Sequence, residues 1–131
     1  MKSNAKDWLE AAKQDLILVE TIINDDYLTG VACFHAQQCV EKSFKAISEE
    51  CEGKIIKTHD LDKLFNIAHG YLKTEIDENL MDKLNSLYIE SRYPGAFGFL
   101  PNGKPSLQDV GEFYKFAKHI FDSVKQYLEK Q

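Results

Sequence analysis

Residues 30–61 read GVACFHAQQCVEKSFKAISEECEGKIIKTHDL and combine an amphipathic pattern with a polar turn. Apolar side chains recur there at intervals of three and four residues, which places them on one face of a helix. They are Cys33, Ala36, Val40, Phe44, Ile47 and Cys51. Gly53 suits a left-handed helix cap. We therefore predict a central helix that ends near Glu52, followed by a turn, residues 53–60, that lies close to whatever the protein binds.

Four more segments show helical spacing, and no part of the chain alternates like a β-strand. They cover residues 4–24, 61–72, 76–91 and 106–128. A short turn bracketed by Asp25 and Gly30 makes the first two helices an antiparallel hairpin. The pattern predicts an all-α fold, an up-and-down four-helix bundle with one additional short helix, in a single domain over residues 1–131.

The start of the first helix carries residue types that commonly cap helices. Ser3 or Asn4 is the expected cap, and Asp7 is expected in the first turn, where a carboxylate complements the helix dipole. Leu9 and Leu18 widen the apolar stripe of this helix, so we expect the helix to contact more than one neighbour.

Two other helix starts have similar signals. Thr58 or Asp60 is expected to cap the third helix, and Ser106 with Asp109 resembles a capping box at the start of the last one. Between them, residues 93–105 contain all three prolines of the chain and three of its glycines, so regular structure is not expected. The same segment carries Phe97, Phe99 and Leu100. We therefore expect an ordered loop that lies over the bundle or over a partner chain.

Composition sets limits on function. The chain has 131 residues, of which 44% are apolar and 28% charged, and a net charge of −5. An acidic protein is a poor non-specific binder of a nucleic-acid backbone, so no double-stranded DNA partner is expected. No apolar run is long enough to cross a bilayer and the N-terminus has no signal-peptide core, so we expect a cytoplasmic protein without a membrane partner.

Metal and cofactor motifs are not found in the sequence. Cys33 and Cys51 fall in the apolar stripe and are expected to be buried, whereas Cys39 is expected to be semi-exposed; no CxxC pair supports a zinc site. The remaining histidines outside the polar turn do not form HxxxH or HExxH spacing. They are His35, His69 and His119. Neither a GxGxxG fingerprint nor a phosphate loop is present, so no metal and no cofactor is expected.

Two sites allow both a structural and a functional interpretation. His59 either braces the start of the third helix or, with Lys57 beside it, faces a phosphate or a base edge. Arg92 either satisfies the carbonyls at the end of the fourth helix or pairs with a phosphate or carboxylate.

Polar residues inside the central helix favour a structural interpretation. Gln37 and Gln38 indicate a polar helix edge more often than a site. Lys42 and Lys45 are expected to be solvated, with Lys45 one helical turn from Glu41 as a stabilising pair.

Three segments together resemble the HEPN family, a nucleotide-binding domain of higher eukaryotes and prokaryotes. The first segment runs from Trp8 to Ile23 and carries alanines followed by Asp15 and Leu16. The second is AQQCVEK, residues 36–42, followed by KTHDL, residues 57–61. The third is Arg92-Tyr93-Pro94. The resemblance spans nearly the whole chain and keeps the order of the parts.

The resemblance implies a helical bundle that often dimerises and that works beside a minimal nucleotidyltransferase in toxin–antitoxin-like pairs. Many relatives are ribonucleases with a histidine four to six residues after an arginine. No histidine follows Arg92 at that distance, and the chain is closer to a branch that reads RYPD, with Gly95 in place of the aspartate. The implied function is a non-catalytic module that binds a nucleotide, short RNA or similar anion. The implied contacts are Lys57, His59, Arg92, Tyr93, Gln38 and Lys42.

Two alternatives stay open on the sequence alone. One is a metal-independent ribonuclease toxin in which His59 replaces the missing histidine beside Arg92. The other is a purely structural domain that forms homodimers through residues 97–100 and an exposed helix face.

Overall fold

The computed structural model of the chain describes residues 1–91 and 103–131, with residues 88–91 described by their backbone alone. Five α-helices are present in these ranges. They are α1 (Ser3–Ile22), α2 (Thr29–Ile47), α3 (Leu61–Ala68), α4 (Glu78–Ser91) and α5 (Leu107–Glu129). A 3₁₀ turn, Asp26–Leu28, separates α1 from α2, and a π-helical turn, Ser48–Glu52, extends α2. The prediction of an all-α fold with one short helix is confirmed.

The centre of the molecule is α2, which contacts all four other helices. The helices α1 and α2 are antiparallel. Trp8, early in α1, contacts Lys45 near the end of α2, whereas Asp15, later in α1, contacts His35 near the start of α2. The two helices therefore form the predicted antiparallel hairpin. The predicted stripe of α2 is buried as far as Ile47, and Cys51 at its end is partly exposed.

The ends of α2 and α5 follow the sequence pattern. Gly53 adopts a φ of 63°, the left-handed conformation predicted for the residue after α2. The Ser106 side chain accepts a hydrogen bond from the Asp109 N–H, and the Asp109 carboxylate accepts one from the Ser106 N–H, so the capping box is confirmed. Every predicted core residue of α5 is buried; these are Val110, Phe113, Ala117, Ile120, Val124 and Leu128.

Several predicted details of α1 are wrong. The helix begins at Ser3 with Lys2 as its N-cap and no side-chain cap, so neither Ser3 nor Asn4 has the predicted role, and Asp7 lies beyond the first turn. The Lys2 N–H instead donates to Glu50 Oε2 at 2.6 Å, which ties the helix start to the π-helical turn. The predicted widening of the apolar stripe is confirmed at Leu9, which is buried, but not at Leu18, which is 36% exposed.

Further boundaries differ from the prediction by a few residues. The first helix ends at Ile22 rather than 24, the third ends at Ala68 rather than 72, and Gly30 lies inside α2 because α2 begins directly after the 3₁₀ turn. The fourth helix begins at Glu78 rather than 76. Asp77 sets this start, since its carboxylate accepts hydrogen bonds from the N–H groups of Asn79 and Leu80.

Candidate functional site

A ladder of polar side chains runs along one side of α2. Gln37, Glu41 and Lys45 are one helical turn apart and are only 0%, 3% and 7% exposed. Gln37 Nε2 donates to Glu41 Oε1 at 3.2 Å, and Lys45 Nζ donates to Glu41 Oε2 at 3.0 Å. The predicted Glu41–Lys45 pair is therefore confirmed, but the expected polar edge at Gln37 and the expected solvation of Lys45 are wrong. Neighbouring helices cover this side of α2 as well as its apolar stripe.

His59 joins this ladder from the polar turn. Its Nδ1 atom lies 3.2 Å from both carboxylate oxygens of Glu41, while 53% of the His59 side-chain surface is exposed. A ring that donates from Nδ1 to a buried carboxylate has a fixed tautomer and orientation. The imidazole is thus held by Glu41 on its inner side, and about half of its side-chain surface is exposed to solvent.

Hydrogen bonds to α4 hold the turn that carries His59. The Asp60 carboxylate accepts from the Asp62 N–H at 3.0 Å, which confirms Asp60 as the cap of α3. Asn85 of α4 donates from Nδ2 to Asp60 Oδ1 at 2.9 Å and accepts from the Leu61 N–H at 2.9 Å. Sequence reasoning missed Asn85, because nothing in the local pattern of α4 distinguishes it from a solvated residue.

Lys57 adds a positive charge beside His59. Its side chain is exposed and forms no ion pair within the described residues. Gln38 is connected to the same region, because its Nε2 donates to Gln37 Oε1 at 2.7 Å and Gln37 contacts Glu41 in turn. The structure therefore links Gln38 and His59 to the Glu41 carboxylate, whereas Lys57 is exposed in the turn that carries His59.

Lys42 belongs to a second cluster, centred on Asp15 of α1. Lys42 Nζ lies 2.7 Å from Asp15 Oδ2, and His35 Nδ1 lies 2.8 Å from Asp15 Oδ1. Asp15 is buried, and 24% of the Lys42 side chain is exposed, so the expectation of a freely solvated Lys42 is wrong. Arg92 and Tyr93 lie outside the described residues, as do residues 97–100 of the predicted loop.

Two of the three cysteines are too deeply buried to act as nucleophiles. Cys39 is fully buried, with its Sγ 4.0 Å from the Ala117 carbonyl, so the expected partial exposure of Cys39 is wrong. Burial raises the pKa of the Cys33 and Cys39 thiols to about 12, which keeps both protonated at neutral pH. Within the described ranges, no three histidine, cysteine, aspartate or glutamate side chains are placed to hold a metal ion.

The family model of the HEPN domain matches residues 5–127 of this chain, and the protein belongs to that family. Its relatives include "Putative toxin MJ1304" of Methanocaldococcus jannaschii, which is 28% identical over 138 residues, covering 97% of this chain and 90% of the relative.

Two solved structures resemble the fold over nearly its full length. TT1696 from Thermus thermophilus has a TM-score of 0.73 at 26% identity and covers 96% of this chain and 99% of its own. ST0689, described as an archaeal HEPN homologue, has a TM-score of 0.62 at 22% identity over 96% and 98%. In the part of the chain that the structure describes, no helix has the length and apolarity needed to cross a membrane.

Proposed function

We propose that this protein is the toxin-type component of a two-protein system. We further propose that it binds a phosphate group of a nucleotide or short RNA at the His59 corner, which consists of Lys57, His59 and the Glu41 carboxylate that holds the His59 ring. The observation that carries the proposal is the contact of His59 Nδ1 with the buried Glu41 carboxylate. This contact holds the exposed imidazole in one orientation, and Lys57 supplies a nearby positive charge. Lys57 offers N–H donors, and the protonated form of His59 offers an outer N–H while its inner N–H stays on Glu41; phosphate oxygens accept such charged donors strongly.

The other expected contacts take supporting roles in this proposal. Arg92 and Tyr93 follow α4, the helix whose Asn85 holds the His59 turn, and we assign them to the same ligand. Gln38 is linked to the His59 corner because its amide donates a hydrogen bond to Gln37, which in turn donates one to Glu41. Lys42 contributes long-range positive charge, since Asp15 already holds its ammonium group.

Calorimetry with ATP, GTP and a short RNA tests the binding. His59→Gln and Lys57→Met are each expected to weaken binding about tenfold, the usual effect of losing one charged hydrogen bond. His69→Gln and Lys54→Met are matched controls, because both residues are exposed and neither contacts the Glu41 ladder. Absence of heat with all three ligands at millimolar concentration would refute binding.

The expected partner is a minimal nucleotidyltransferase, as the family resemblance implies, and we propose a cytoplasmic homodimer as the working form. Ile17 and Leu18 on α1 are 53% and 36% exposed, which leaves adjacent apolar side chains for a second copy. Sedimentation at several concentrations tests the dimer, and a strict monomer refutes it. Co-purification with the product of an adjacent nucleotidyltransferase gene tests the partner.

The orientation of His59 also favours a second candidate, a metal-independent ribonuclease. A carboxylate that holds the inner nitrogen of an imidazole is the arrangement that many hydrolytic enzymes use to position a general acid or base. In this alternative, Arg92 stabilises the phosphate while His59 transfers the proton. Growth arrest on expression that disappears with Arg92→Ala and with His59→Gln supports the enzyme, and harmless expression of the wild type opposes it.

A further inference from the structure

A second surface feature lies beside the start of α1. It is a groove of about 390 Å³ between this helix start, the π-helical turn and the segment after Gly53. Its lining residues are Asn4, Asp7, Trp8, Ala11, Glu49 and Ile55. None of them belongs to the proposed phosphate-binding corner.

Glu49 is the unusual member of this groove. It is only 7% exposed, yet within the described residues its carboxylate makes no hydrogen bond and no ion pair. Lys45 lies one turn earlier on the same side of the helix, but its ammonium group is bound to Glu41. The Glu49 carboxylate oxygens are not shut off from water, so they can be reached from the groove that Glu49 lines. A ligand that supplies hydrogen-bond donors would give this carboxylate the partner that the described residues do not provide.

The walls of the groove define the shape of such a ligand. Trp8 presents a partly exposed aromatic ring, with Lys45 Nζ 5.2 Å from the ring centroid, and Ile55 is 64% exposed. Asp7 adds a second carboxylate at the surface. Planar guanidinium groups are weakly hydrated, stack on tryptophan and pair with carboxylates through two parallel hydrogen bonds, whereas ammonium groups are compact and strongly hydrated.

We propose that this groove binds an arginine side chain of a partner protein, with the guanidinium on Glu49 and the aliphatic stem against Trp8. Charge complementarity favours this occupant, because the groove offers two carboxylates and no cation of its own among its lining residues. The exposed Ile55 offers an apolar contact to the chain that carries the arginine. This inference is independent of nucleotide binding, since it uses neither Lys57 nor His59.

The chain contains a single tryptophan, so its emission reports directly on the groove. Nα-acetyl-arginine amide, titrated at constant ionic strength, is expected to change the Trp8 emission saturably. The citrulline analogue has the same shape without the charge and is expected to have no effect. Agmatine carries the same guanidino group without a peptide backbone. Its titration therefore tests whether the groove prefers a free small molecule to an arginine side chain of a protein.

Two variants assign the response to Glu49. Glu49→Gln is expected to raise the half-saturating concentration about tenfold, because it removes one charged hydrogen-bonding partner. It is also expected to unfold at the same temperature as the wild type, since the Glu49 carboxylate has no hydrogen bond or ion pair to lose within the described residues. Glu10→Gln, the same change on the exposed surface of α1, is expected to leave both measurements unchanged.

Three results would overturn the proposal. The first is an equal response to the arginine and citrulline compounds, and the second is equal binding by the Glu49→Gln and Glu10→Gln variants. The third is a response to agmatine alone, which would assign the groove to a free small molecule instead of a partner protein.

Discussion

At the scale of single residues, the Glu41 carboxylate is a buried charge with three hydrogen-bonding partners. It is 3% exposed and accepts hydrogen bonds from Gln37, Lys45 and His59. A buried charge is tolerated only when its partners satisfy it, and removal of one partner leaves the other uncompensated. The same carboxylate therefore stabilises the fold by pairing with the buried Lys45 ammonium group, and it orients the His59 ring of the proposed site.

Glu41→Gln is expected to lower the free energy of unfolding by roughly 3 kcal/mol, because the buried Lys45 ammonium then loses its counter-charge. Urea denaturation followed by circular dichroism measures the change. The matched control is Lys118→Ala, which breaks an ion pair of the same spacing whose side chains are 52% and 49% exposed. This control is expected to change stability by less than about 1 kcal/mol. Equal effects of the two variants would contradict the account of Glu41.

Thiol reactivity offers a second test at this scale. Cys33 and Cys39 are fully buried with thiol pKa values raised to about 12, and Cys51 is partly exposed with a pKa raised chiefly by desolvation. A raised pKa leaves less thiolate at any given pH, so reactivity is low below the pKa and increases as the pH approaches it.

With Ellman's reagent at pH about 8, where a free thiol with a pKa of roughly 8.5 reacts readily, native protein is expected to expose at most Cys51 to rapid reaction. Cys33 and Cys39 are expected to react only as fast as the protein unfolds. Addition of denaturant should release all three thiols of the chain. Rapid reaction of two or more thiols in the native protein would contradict the burial of Cys33 or Cys39.

At the scale of elements, α2 explains both the success and the failure of sequence reasoning. Its apolar stripe, its left-handed end at Gly53 and its position at the centre of the bundle could be predicted from spacing and glycine placement. Spacing alone assumes one buried face, whereas α2 is covered by four helices. Cys39, Gln37 and Lys45 were therefore assigned to solvent although the other helices bury them.

Glycine substitutions test the predicted end of α2. Gly53→Ala is expected to destabilise the protein by about 1 kcal/mol, because the residue keeps a φ of 63°, which an L-amino acid with a Cβ atom disfavours. Space is not the obstacle, since an added Cβ would lie 3.8 Å from Lys2 Nζ.

Gly111→Ala is the control, because its expected change in the free energy of unfolding has the opposite sign. This glycine lies inside α5 and an added Cβ meets no atom within 4 Å, so the alanine is expected to stabilise the protein by about 0.5 to 1 kcal/mol. Thermal unfolding of both variants measures the difference. A Gly53→Ala variant as stable as Gly111→Ala would contradict the left-handed end of α2.

At the scale of the whole molecule, the fold brings together residues that are distant in sequence. Glu41 of α2, His59 of the turn and Asn85 of α4 form one connected set, through Asp60 and the backbone of the turn. Sequence reasoning identified His59 and Lys57 as candidates because a polar turn follows the central helix. It could not identify Asn85, since its role depends on where α4 packs.

The central claim is that the His59 ring, held by Glu41, contacts a bound phosphate. The four histidines of the chain allow a direct test, because the other three have different surroundings. His35 contacts Asp15, His119 contacts Thr74 and Glu75, and His69 packs against Phe65.

The decisive measurement is nitrogen-15 NMR of the imidazole rings during titration with ATP. The account predicts that the His59 ring nitrogens shift as binding saturates, while those of His35, His69 and His119 stay unchanged. Saturable binding that leaves His59 unchanged, or that shifts one of the other three rings instead, would contradict it.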